Sequence, residues 1–119
     1  MSEVEPGLVA IVDDDDGVRD SLRFLLEIAG HKVETFATAD DFLTRDSGNV
    51  ACLLLDQHVP GMTGLELARR LQEAGAKFPI ALITGAPSAA IAARAAQLGI
   101  TTVLAKPLDG DEVLALVTA

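Results

Sequence analysis

The sequence predicts an α/β fold, a doubly wound parallel sheet of five strands with five helices, and three observations carry that expectation. Apolar runs of strand length recur at LVAIV (8–12), KVETF (32–36), VACLLL (50–55), PIALIT (79–84) and TVLA (102–105). Each is followed by a stretch whose apolar residues recur at helical spacing. The first, third and fourth runs are apolar at almost every position, which suits strands covered on both faces.

The first run passes directly into Asp13, Asp14, Asp15 and Asp16. Asp15 and Asp16 suit the N-cap of a first helix. That helix sets Val18, Leu22, Leu25 and Ala29 on one face and stops at Gly30. KVETF alternates in polarity and reads as an edge strand. In TADDFL, Thr38 with Asp41 three residues on gives a capping-box signal for a short second helix. After the third strand, Leu65, Ala68, Leu71 and Gln72 mark a helix that ends near Gly75. Past the fourth, Ile91, Ala95 and Leu98 mark another, ended by Gly99. The fifth helix starts near Asp109 or Asp111 and turns Val113, Leu116 and Val117 inward. Repeated βαβ units give right-handed crossovers. For five of them the flavodoxin-like strand order is 2-1-3-4-5, with its switch point at the carboxyl ends of strands 1 and 3, where a ligand is expected.

The 119 residues suit one domain over 1–119, and an apolar content of 50% is enough for a core. A formal net charge of −9, with no basic cluster longer than Arg69–Arg70, argues against direct binding of nucleic acid or of an anionic membrane. The absence of Trp and Tyr removes the usual stacking platforms for bases. Cys52, the single cysteine, lies within an apolar run, so an internal disulfide is excluded and a thiolate zinc site is not expected. MSEVEPG lacks a basic-then-apolar leader, and no apolar run is long enough to span a membrane. A soluble cytoplasmic protein is expected.

The residues that close the strands carry the chemistry. Asp13 and Asp14 follow strand 1, Asp56 follows strand 3, Thr84 ends strand 4 and Lys106 follows strand 5. Two carboxylates about 5 Å apart repel by about 3 kcal/mol at an effective dielectric of 20, so the acids call for a positive partner. Mg²⁺ favours one or two carboxylates together with waters and a phosphate. Asp56 suits a third ligand or a nucleophile, since carboxylates form acyl phosphates. Lys106 and the Thr84 hydroxyl can stabilise charge on a transferring phosphoryl group. A cis bond at Lys106–Pro107 would turn the lysine back toward the acids, and Gly85 leaves room beside the hydroxyl.

Together, AIVDDD, LLLDQHVPGMTGLEL, LITGAPS and LAKP resemble the receiver domain of two-component response regulators, from about Val9 to Val117. The stretch LRFLLEIAGHKVETFATADDFL and the TG of LITG are similar to receivers of the FixJ type. The resemblance implies that Asp56 takes a phosphoryl group from the phosphohistidine of a histidine kinase or phosphotransfer protein, with Mg²⁺ required. Asp14 would bind the metal directly and Asp13 largely through water, and the backbone carbonyl of His58 would supply a further ligand. Thr84 and Lys106 would contact the phosphoryl oxygens. Phosphorylation would draw Thr84 inward and reshape helix 4, strand 5 and helix 5, the surface read by a downstream effector or output domain. A homodimer through that surface is allowed.

The family's aromatic switch position holds Val103, which has no ring to swing. Val59 stands in place of a common Met, Leu108 in place of a common Phe, and APSAAIAARAA lacks the polar loop of the FixJ type. His58 and Ala86 occupy positions that tune phosphoryl lifetime in the family, while His31 reads as a surface residue. Two rival readings exist. D-D-D-G-V (14–18) also fits the nucleophile motif of haloacid-dehalogenase-type phosphatases, with Asp14 as nucleophile and Asp16 as general acid. Alternatively, the fold is a binding module that works without phosphorylation.

Overall fold

A computed structural model of the chain describes residues 7–45, 48–100 and 102–118. The first six residues, part of the stretch read above for a leader, lie outside the described residues. In chain order the elements are β1 (Leu8–Val12), α1 (Asp16–Ile28), β2 (Lys32–Phe36), α2 (Ala39–Leu43) and β3 (Val50–Asp56). They continue with β4 (His58–Val59), β5 (Met62–Thr63), α3 (Gly64–Glu73), β6 (Ile80–Thr84), α4 (Ala89–Gln97), β7 (Thr102–Ala105) and α5 (Gly110–Thr118). The main sheet is parallel, in the order β2-β1-β3-β6-β7, so the five long strands take the predicted arrangement.

Alternation along each strand explains why β1, β3 and β6 are apolar throughout. Leu8, Ala10 and Val12 of β1, with Leu53, Leu55 and Leu82, meet α2, α3 and α4 on one face. Val9 and Ile11, with Leu54, Ala81, Ile83 and Leu104, meet α1 and α5 on the other. On the first face Phe42 of α2 takes the rings of Phe36 and Phe78 edge to face, with centroids 5.2 and 6.3 Å away. The fourth phenylalanine, Phe24, stands on α1 and is 68% exposed.

Side-chain caps set the helix starts. Asp15 accepts from Val18 N, Thr38 from Asp41 N, Thr63 from Glu66 N and Ser88 from Ile91 N. Gly30, Gly75 and Gly99 follow the ends of α1, α3 and α4 with positive φ, where the chain reverses toward the next strand.

The structure corrects several details. On α1, Leu26 is fully buried and Ala29 is exposed, because the inward stripe runs through Leu22 and Leu26, with Val18 and Leu25 at its margin. On α3, Gln72 is exposed and Leu67 is buried instead, since the helix is covered over a wider arc than a narrow stripe. Asp56 is the last residue of β3 and not the first beyond it. Pro79 falls before β6, although its carbonyl still accepts from Leu53 N at 3.0 Å. A small antiparallel hairpin, β4 with β5, is turned by Pro60 and Gly61 and was not foreseen. His31 is half-buried, and its Nε2 is enclosed without a hydrogen-bond partner, so it is not a free surface residue.

Candidate functional site

The hydrogen-bond ladders extend past the strand ends and fix the residues of one rim. Asp13 N donates to Phe36 O at 3.1 Å, Gln57 N to Ile83 O at 2.8 Å and Lys106 N to Thr84 O at 2.9 Å. Asp56 pairs with Ile83 in the register between β3 and β6, and Thr84 pairs with Ala105 between β6 and β7. Asp13, Asp56 and Thr84 are buried, whereas Asp14 is exposed beside them. One carboxylate oxygen from each of Asp13, Asp14 and Asp56 falls within a 4.8 Å group. The Lys106 ammonium lies 3.2 Å from Asp13 Oδ2 and 3.2 Å from Asp56 Oδ2. The Lys106–Pro107 bond is cis.

These acids sit in a demanding electrostatic setting. Burial pushes the Asp13 carboxyl up from its ordinary range, and the Asp56 charge adds to that; the Asp15 N–H and Lys106 oppose both and do not cancel them. Burial alone would lower the Lys106 ammonium, but its close contacts with the carboxylates of Asp13 and Asp56, and their charges, outweigh it and raise its pKa. Asp13 Oδ1 accepts from Asp15 N at 2.9 Å. Asp13 Oδ2 is enclosed and accepts no hydrogen bond, because its contact with Lys106 meets the ion-pair distance but not hydrogen-bond geometry. Three carboxylates facing one ammonium leave two negative charges. An under-satisfied buried oxygen and all-oxygen donors fit a small hard dication.

The remaining predicted residues divide. Thr84 Oγ1 accepts from Ala86 N at 3.1 Å, which leaves its hydrogen free to donate. The His58 side chain is exposed, while its backbone N donates to Asp56 Oδ1 at 3.3 Å. Val103 is half-buried and packs on the cluster shared with α3 and α4. Asp16 is exposed and pairs with Arg19 in the first turn of α1, apart from the acid group.

Two contacts on the site loops escaped sequence reasoning. Arg19 Nη1 donates to Asp13 O at 2.6 Å, and Gln57 Oε1 accepts from Leu65 N at 3.0 Å. A polar residue directly after Asp56 at the mouth of a buried strand was the available signal for the second. Beside the rim, a groove of about 730 Å³ between α1 and the start of α5 includes Asp15, Phe24, Ile28 and Lys106.

Residues 9–118 match the family of the response regulator receiver domain. The chain belongs to that family. A receiver domain is a phosphoacceptor module of two-component signalling and not a conventional enzyme. This one is 37% identical over 112 residues to the transcriptional regulatory protein FixJ of Bradyrhizobium diazoefficiens, covering 93% of the chain and 55% of that protein. Among solved structures it resembles response regulator StyR at 38% identity and a TM-score of 0.87, covering 95% of this chain and 58% of that one. It also resembles a CheY-like receiver domain protein from Methanospirillum hungatei at 26% identity and a TM-score of 0.87, covering 94% and 90%. The receiver domain thus spans about half the length of the curated relatives it matches.

Proposed function

We propose that Asp56 is the phosphoacceptor of this receiver domain and that residues 1–119 act as one domain. The observation that supports this most directly is the buried Asp56 carboxylate within 3.2 Å of the Lys106 ammonium at the switch point of the sheet. An Asp56 carboxylate oxygen attacks the phosphorus of a phosphohistidine on a histidine kinase or phosphotransfer protein. The P–N bond breaks, the imidazole leaves, and an acyl phosphate forms. Lys106, which bridges Asp13 and Asp56 before transfer, then takes the phosphoryl oxygens as its counter-charge. The Thr84 hydroxyl donates to another of those oxygens. Asp13, Asp14, Asp56 and the His58 backbone carbonyl would hold Mg²⁺, which would offset the charge of acids and phosphate. By the same groups the domain promotes its own phosphorylation and dephosphorylation.

Phosphorylation biases the surface of α4, β7 and α5, which a downstream effector, an output domain or a second copy reads. With Val103 at the switch position, that response runs through Thr84 and the packing of β7 without a ring exchange. A cytoplasmic setting follows from the kinase partner, and among the described residues no helix is long and apolar enough to cross a membrane.

The test treats wild type, Asp56→Asn and Asp14→Asn with Mg²⁺ and acetyl phosphate or beryllofluoride, and locates any adduct by peptide mass spectrometry. One acid-labile phosphoryl group on Asp56, lost in Asp56→Asn, is the expected result. An adduct on Asp14 would replace this reading with the phosphatase one, and no response would leave a phosphorylation-independent binding module.

A further inference from the structure

We infer that Gln57 is a positioning residue for the acid pocket, which fixes the loop between β3 and α3 and so the placement of Asp56 and His58. The inference rests on the phosphoacceptor reading above. Gln57 is 7% exposed, and three hydrogen bonds tie it to two other elements. Its N donates to Ile83 O of β6 at 2.8 Å, and its carbonyl accepts from Gly64 N at 2.9 Å. Its Oε1 accepts from Leu65 N at 3.0 Å, a buried bond that satisfies an N–H in the first turn of α3. The chain from His58 to Thr63 is thereby a closed loop, hairpin-paired within and anchored at its base by one residue. Its fit is tight: a Cβ on Gly64 would meet Asp56 O at 2.6 Å and Gln57 Cα at 3.0 Å. His58 stands next to that anchor, with its N directed to Asp56 Oδ1. Thr63 caps the same helix separately, through Glu66 N. Capping α3 and anchoring the loop are therefore separable by mutation.

The experiment compares Gln57→Met, Gln57→Glu and Thr63→Ala with wild type. Gln57→Met keeps the volume but removes the acceptor, Gln57→Glu keeps an acceptor for Leu65 N, and Thr63→Ala removes the side-chain cap of α3 while keeping the backbone of Thr63 for its pairing with His58. Backbone amide exchange is read on the metal-free protein, and Mg²⁺ affinity from melting titrations. In Gln57→Met, exchange at His58 and Leu65 is expected to rise about fivefold to tenfold, the factor one lost buried hydrogen bond supplies. Mg²⁺ affinity is expected to fall about tenfold, as for a lost outer-shell contact. Gln57→Glu restores slow exchange, and Thr63→Ala lowers melting with neither other change. Should Gln57→Met fail to fold, Gln57→Asn, one methylene short of Leu65 N, carries the same expectations. Wild-type exchange at His58 in the acceptor-deficient variant overturns the inference, as does Thr63→Ala reproducing both effects. A wild type that ignores Mg²⁺ would overturn the phosphoacceptor reading, while the exchange data still decide the role of Gln57.

Discussion

Lys106 is the internal counter-ion of Asp13 and Asp56, and its removal leaves two buried carboxylates facing each other without a cation. Lys106→Met should therefore lower the melting temperature of the metal-free protein and enlarge the shift that Mg²⁺ produces; a smaller shift than wild type would contradict the counter-ion role. A second residue-scale expectation concerns Glu34, whose carboxyl is held below its ordinary range mainly by its hydrogen bond from Arg45. Its folded pKa is the lower one, so the pair's contribution is present above the ordinary glutamate value of 4.5 and is lost as pH falls through the depressed value. Wild type should exceed Glu34→Gln in urea midpoint near neutrality, and the gap should close in acid and shrink with salt. Asp13, Asp56, Thr84 and Lys106 were legible in the sequence because each interrupts an apolar run where a strand must end. Arg19 and Gln57 were not, because their side chains bond to backbone groups that the fold brings near, and the enclosure of His31 is likewise set by the fold.

Individual elements were legible wherever periodicity and caps agreed. Thr38 marks the start of α2 in the sequence and caps it in the structure. Burial on α1 and α3 was less legible, since spacing defines a stripe but neighbouring elements decide its width and centre. The hairpin of β4 and β5 is too short for any periodic signal. The junction of β3 with α3 is tight at Gly64. Gly64→Ala should cost about 1–3 kcal/mol, the range for overpacking, because the nearest obstructing atom, Asp56 O, belongs to backbone and cannot rotate away. Within β3, Leu54 is fully enclosed on the face covered by α1 and α5, and Leu54→Ala should cost about 2–5 kcal/mol. Urea unfolding of the metal-free variants checks both.

For the molecule as a whole, strand order was the most legible feature, because alternating βα units with right-handed crossovers allow few arrangements, and two-sided apolar strands belong inside. The groove between α1 and α5 was not legible, because the exposure of Phe24 and Ile28 depends on how two helices separated in sequence diverge. If the acid pocket takes Mg²⁺, the folded chain should gain about 2.7 kcal/mol at a hundredfold excess over the dissociation constant. Asp14→Asn should lose most of that gain, and melting indifferent to millimolar Mg²⁺ would speak against the pocket. The phenylalanines also divide the molecule: three rings lock together over β2, α2 and the approach to β6, and the fourth stands exposed on the groove between α1 and α5. With no tryptophan or tyrosine, fluorine-labelled phenylalanine would give a four-line spectrum, three lines serving as an internal standard of core integrity. The fourth would be a resident probe of whatever molecule approaches that side.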